Sequence, residues 1–154
     1  MSDQQASQQQ FAVQKIFLKD VSFESPNSPA IFQETEWQPE INVQLNTEGK
    51  TIADSIHEVT LTVTVTAKHG DKTAFLCEVK QAGVFQMSGF EQEQLGGMLG
   101  AYCPEMLFPY AREAISDMVS KGGFPQLLLQ PVNFNALYMQ HQQQQQQAQE
   151  QSTH

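Results

Sequence analysis

Four stretches of the chain alternate apolar and polar side chains, and the region after the fourth repeats at helical spacing. From Phe11 to Glu24 the odd positions read Phe11, Val13, Lys15, Phe17, Lys19, Val21 and Phe23, and the even ones include Ile16, Leu18, Asp20, Ser22 and Glu24. Period two predicts a strand. Toward its end one face is apolar (Val21, Phe23) and the other shows two carboxylates (Asp20, Glu24). Pro26, Pro29 and Pro39 make residues 25–39 a long connection. Alternation returns in Glu40–Asn46, with Ile41, Val43 and Leu45 on one side. It is nearly faultless in Ile56–Ala67, where Val59, Leu61, Val63 and Val65 oppose Thr60, Thr62, Thr64 and Thr66. His69-Gly70-Asp71 reads as a turn and Lys72–Met87 as a fourth strand, which closes a hairpin.

After Gly89 the period changes. Within Pro104–Lys121, Leu107, Ala111, Ala114, Ile115, Met118 and Val119 share one helical stripe, with Pro104 suited to a first turn. Gly122-Gly123 followed by Pro125 predicts the stop. Pro109 should kink this helix or mark its true start. A second, shorter helix is expected from about Asn133, carrying Phe134, Leu137 and Tyr138, before the chain passes into a Gln run. Strands first and helices after predict an α+β domain on an antiparallel sheet. Its expected limits are residues 11–142, with a polar disordered arm at 1–10 and a Gln-rich disordered tail at 143–154.

The fourth strand carries Phe75, Cys77, Val79 and Gln81 on one face and Ala74, Leu76, Glu78 and Lys80 on the other. One helical layer covers one face, so bulky apolar groups on both predict a second cover: another subunit or a ligand. Trp37 in the proline-bounded connection is a further candidate contact; the alternative is an indole packed beneath its own loop.

Charge narrows the function. Eight Lys and Arg against 17 Asp and Glu give a formal charge of -9, which repels phosphate backbones and speaks against nucleic acid. Such a surface favours a basic partner or serves solubility alone. The polar start shows no signal peptide and no apolar run spans a bilayer, so membrane insertion is not expected. Cys77 and Cys103 stand apart from each other, which fits a reducing cytosol. No phosphate or dinucleotide loop is present, although Gly96, Gly97 and Gly100 cluster near a helix start. His57, His69, His141 and His154 lack metal spacing, and His57 and His69 read as ordinary surface residues. A thioesterase-like enzyme would need Cys103 as nucleophile and a base that the sequence does not place. A binder of small apolar ligands would use the Trp37 and Phe134 surface.

Long strings then carry a resemblance. GAYCPEMLFPYAREAISDMVSKGGFPQLLLQPVNFNALY (Gly100–Tyr138), KDVSFESPNSPAIFQ (Lys19–Gln33), WQPE (Trp37–Glu40) and TAFLCEVKQAGVF (Thr73–Phe85) resemble the SecB chaperone family. The resemblance implies a four-stranded antiparallel sheet with a long crossover connection, a long helix and a shorter C-terminal one. It implies a homotetramer, a dimer of dimers, with no enzymatic activity, nucleotide or cofactor. Such a protein holds unfolded precursors in the cytoplasm and delivers them to the SecA ATPase. It implies a SecA-binding surface of Asp20, Glu24, Leu76 and Glu78. Phe75, Cys77, Val79 and Gln81 match positions that matter for tetramer assembly. Trp37 and the short helix (Phe134, Leu137, Tyr138) match walls of a client groove. The chain departs from the family at Gln33-Glu34-Thr35-Glu36 and in its Gln-rich tail, the segment that in the family can make secondary contacts with SecA, so the resemblance does not carry that contact over.

Overall fold

A computed structural model describes residues 8–152. The four alternating stretches become β1 (Gln10–Glu24), β2 (Glu40–Ala53), β3 (Ile56–His69) and β4 (Lys72–Ser88). They form one antiparallel sheet in the order β1-β4-β3-β2. Consecutive hairpins join β2, β3 and β4, so the 25–39 connection must cross from one edge strand to the other. Gly70, with φ +63°, makes the tight turn between His69 and Lys72. The first seven residues of the expected polar arm lie outside the described residues, and β1 begins at the tenth.

Two β-bulges resolve the imperfect alternation of β1. Register shifts between Val13 and Lys15, and between Leu18 and Asp20, leave Gln14 and Lys19 as extra residues. One face therefore reads Phe11, Val13, Ile16, Leu18, Val21 and Phe23, and the other Ala12, Lys15, Phe17, Asp20, Ser22 and Glu24. A strict period of two puts Ile16 and Leu18 on the same side as Asp20. The bulges keep the apolar set on the helical side of the sheet, where Phe11, Ile16 and Phe23 are half-buried and Val13, Leu18 and Val21 stay exposed.

The helical region starts earlier than its stripe predicts. α1 (Gln92–Gly97) runs through a π turn (Met98–Tyr102) into α2 (Cys103–Lys121) without leaving helical backbone. The wide turn directly precedes Pro104, whose ring would clash with the Gly100 carbonyl in a regular helix. Pro109 lies inside α2 and does not start it. The stop is where glycine requires it: Gly123, at φ +89°, donates its N–H to Ser120 O, and Phe124 N–H reaches Val119 O at 3.2 Å. This pair of bonds is a Schellman turn, and it aims Phe124 back at the core.

Cys103, Leu107, Ala111, Ile115 and Val119 recur every fourth residue along α2 and are fully buried. They meet Val59, Leu61, Val63, Val65, Val79 and Phe85 on β3 and β4, also fully buried. Each aliphatic side chain removed from water in this way contributes about 1.5–3 kcal/mol. α3 (Phe134–Ser152) is longer than the short helix expected, though shorter than the continuous helical run from Gln92 to Lys121. Its Gln run, expected as a disordered tail, is helical through Ser152 with exposed side chains. Extending an existing helix with Gln needs no new nucleus and meets no strong propensity penalty.

Candidate functional site

The open face of the sheet gathers the residues that sequence spacing could only assign strand by strand. Glu24 pairs with Leu76, Ser22 with Glu78 and Asp20 with Lys80 across the β1–β4 ladder. Directly paired residues share a face, so Asp20, Glu24, Leu76 and Glu78 form one patch on adjacent strands. Asp20 and Glu24 are exposed, Leu76 is 38% exposed and Glu78 is half-buried. Glu78 also accepts a hydrogen bond from Thr64 Oγ1 at 3.0 Å, so it is tied to the threonine row of β3. Lys19, the bulge residue, pairs with Glu58 at 2.7 Å on the same sheet. Beyond Leu76 this face carries small or polar groups near the patch, while half-buried Phe17 and Val84 lie farther along it.

The other face holds the residues expected to matter for assembly. Phe75, Cys77 and Val79 are at most 1% exposed and Gln81 is 5% exposed, in the chain taken alone. The helical layer covers them, and Gln81 Nε2 donates to Phe17 O at 3.0 Å. A side chain already buried within its own protomer has no surface left for a partner. Within the protomer these four are buried residues.

At the end of the same face Trp37 joins an aromatic cluster. Its ring lies 5.4 Å from that of Phe124, which in turn lies 5.1 Å from Phe75 and from Phe32. Trp37 also stacks on His69 at 5.9 Å with ring planes 6° apart. The indole is half-buried, so both sequence alternatives hold in part: it packs against its own surroundings and keeps one side open.

Phe134, Leu137 and Tyr138 border a different hollow, of about 530 Å³, with Leu45, Thr47, Gly49, Leu99 and Gly100. Phe134 is buried edge-on against Phe108 at 5.6 Å, while Leu137 is 43% exposed. Tyr138 lies over a cradle of two glycines. A Cβ at Gly96 would approach its hydroxyl to 2.8 Å, and a Cβ at Gly100 would run into its ring. Sequence spacing gives this glycine cluster no role, because the residue that fills it is distant in the chain.

Trp37 does not line that hollow. What joins the two is β2, whose Ile41, Val43 and Leu45 point to the helical side. α2 packs over β4 and β3, and β2 is met chiefly by the π turn. Val43 consequently stays 41% exposed between half-buried Ile41 and Leu45. An apolar strip thus runs along the edge strand from Trp37 to Tyr138. The alternation of β2 is visible in the sequence; the limited reach of α2 is not.

Burial pushes the Cys77 thiol up to about 11 and the Cys103 thiol up to about 12, which leaves neither as a ready nucleophile. His57, expected at the surface, is buried and meets Thr51 Oγ1 at 3.1 Å through Nδ1. His69, likewise expected at the surface, is half-buried and contacts Glu34. Among the described residues no three His, Cys, Asp or Glu side chains gather to hold a metal, and no helix is long and apolar enough to cross a membrane.

The chain is similar to the protein-export protein SecB of Nitrosococcus oceani, 60% identical over 143 residues, which cover 92% of this chain and 87% of that protein. It is similar to SecB of Marinobacter nauticus at 54% identity over 153 residues, 96% of this chain and 92% of that protein. The fold matches a SecB-like chaperone of Mycobacterium tuberculosis, solved in complex with a ChAD peptide from the HigA1 antitoxin. That match has a TM-score of 0.66 and 16% identity, covering 79% of this chain and 90% of the other. The family model described as preprotein translocase subunit SecB matches residues 4–145. With its sheet, crossover and helical layer in place and relatives this similar over nearly their whole length, the chain belongs to the SecB family of protein-export chaperones.

Proposed function

We propose that the apolar strip along β2 binds unfolded precursors in the cytoplasm and that the acidic patch on the opposite face passes them to SecA. The observation that supports the reading is the segregation of two open surfaces on one sheet. One is apolar and lies beside the helical layer; the other is charged and uncovered. A holdase accepts many sequences, so its affinity must come from non-directional burial. At about 25 cal/mol per Å², even several hundred Å² of apolar strip gives useful attraction, offset by the ordering of a flexible client. Folded proteins present no long extended apolar segment, which selects the unfolded state. No step calls for nucleotide.

The assembly completes the mechanism. A homotetramer, arranged as a dimer of dimers, presents several strips to one unfolded chain, and effective concentration then multiplies weak contacts. Each protomer contributes a formal charge of -9, which steers a basic module of SecA toward the Asp20, Glu24, Leu76 and Glu78 patch. Client and motor occupy opposite faces, so both can be engaged during transfer. Refolding of a slow-folding precursor, followed with and without this protein and without nucleotide, tests the first half. Refolding at an unchanged rate with equimolar tetramer present would refute it.

A further inference from the structure

The segment that carries Trp37 has few ties to the rest of the protein. Upstream, the connection is anchored: Asn27 Nδ2 donates to Thr73 O at 2.8 Å, and Ile31 is buried. From Gln33 to Gln38 every residue except Trp37 is exposed. Gln33, Thr35, Glu36 and Gln38 line an open hollow of about 490 Å³ with Glu34 and His69. Packing of Trp37 on Phe124 and contacts to His69 and Lys72 hold this segment down. His69 Nε2 and Glu34 Oε2 lie 2.6 Å apart, with Lys72 Nζ at 3.8 Å from the other carboxylate oxygen, and the Trp37 ring stacks on the imidazole. Segments with so few buried contacts open at low free energy unless a specific interaction closes them.

We propose that His69 is a positioning residue for Trp37, and that the Glu34–His69 pair is a clasp that pre-sets the tryptophan at one end of the polypeptide-binding strip. The imidazole serves both partners at once. Its edge binds the carboxylate that pins the connection, and its face is the shelf on which the indole lies. His69 also sits on the rigid β3–β4 hairpin, beside the Gly70 turn, so the shelf does not move with the strap. Without the clasp, the wall of the strip is correctly placed for only part of the time, and apparent affinity falls by that fraction. This inference rests on the reading of the strip as the client surface.

The chain has one tryptophan, so acrylamide quenching of its fluorescence reports on Trp37 alone and needs no client. His69→Leu keeps an apolar shelf and removes the polar tie; Glu34→Gln keeps the shape and removes the charge. Quenching is expected to rise about twofold in His69→Leu and less in Glu34→Gln, with the double variant no higher than His69→Leu. Salt should raise quenching in the wild type and leave Glu34→Gln flat, a response that loss of packing alone would not produce. Affinity for a reduced, carbamidomethylated polypeptide that cannot refold should fall about fivefold in His69→Leu, in line with the lost population. Wild-type quenching in both variants overturns the clasp. So does raised quenching with unchanged affinity, provided Trp37→Ala does weaken binding. If Trp37→Ala leaves affinity intact, the client-surface reading fails instead, and quenching and its salt response alone decide the clasp.

Discussion

On β3 and β4 alternate residues have opposite fates. Val59, Leu61, Val63, Val65, Cys77 and Val79 are sealed beneath α2, while Thr62, Thr64, Thr66, Leu76 and Glu78 keep contact with water. The two sets differ by a single step along the backbone, yet only one can accept substitution at small cost to the fold. A covered face draws its stability from burial and has no surface left to recognise anything. An open face contributes little burial, and its charges are free to act on a partner. The strip on β2 is intermediate: it shares the covered side but lies beyond the reach of α2.

Equivalent charges placed on each face put this contrast to the test. The largest effect is expected from Val79→Asp, which buries an unpaired carboxylate under α2. Urea denaturation should show a loss of about 3–5 kcal/mol, with the protomer unfolding as a unit. A stable protomer with altered assembly alone would return Val79 to an interface.

Next comes the glycine cradle. Gly100→Val places a branched side chain where the Tyr138 ring lies, and overpacking of this kind costs about 1–3 kcal/mol. Hydrogen exchange should accelerate along α3 while the β3–β4 hairpin stays protected. Uniform acceleration across both would mean that α3 is not a separately docked element.

A smaller effect belongs to the thiols. Burial raises both thiols above their ordinary value of 9.0, Cys77 to about 11 and Cys103 to about 12. A raised pKa means that the folded state holds the proton more tightly than the unfolded state does. Stability from this source is complete below about pH 9 and is lost as pH rises through 11 and 12. Unfolding midpoints measured from pH 8 upward should therefore fall, and Cys103→Ala should flatten that decline while lowering stability at neutral pH.

The least structural cost is expected on the open face. Asp20→Lys should change stability by no more than about 0.5 kcal/mol. Glu78→Lys should cost about 1 kcal/mol, because it also removes the bond from Thr64. Both should hold unfolded chains normally and lose SecA binding, with the deficit shrinking as salt screens the attraction. SecA titrations that match the wild type at low and high salt would leave the patch without that role.

Features that depend on neighbours along the chain are legible in the residues alone. Alternation places β3 and β4 and separates Leu76 and Glu78 from Cys77 and Val79. Gly123 ends α2, since only a residue at ease with positive φ closes that turn. Long matching strings are enough to point to the family. The remaining features arise on folding. Pairing with β4 introduces the two bulges that sort the faces of β1. The docking of α2 buries Phe75, Cys77, Val79 and Gln81 within the protomer, and its limited breadth leaves Val43 open. Partners such as Tyr138 for Gly100, or Glu34 for His69, are far apart in sequence. Local pattern tells which face of an element is apolar, but which neighbour covers that face depends on contacts that exist only once the chain is folded.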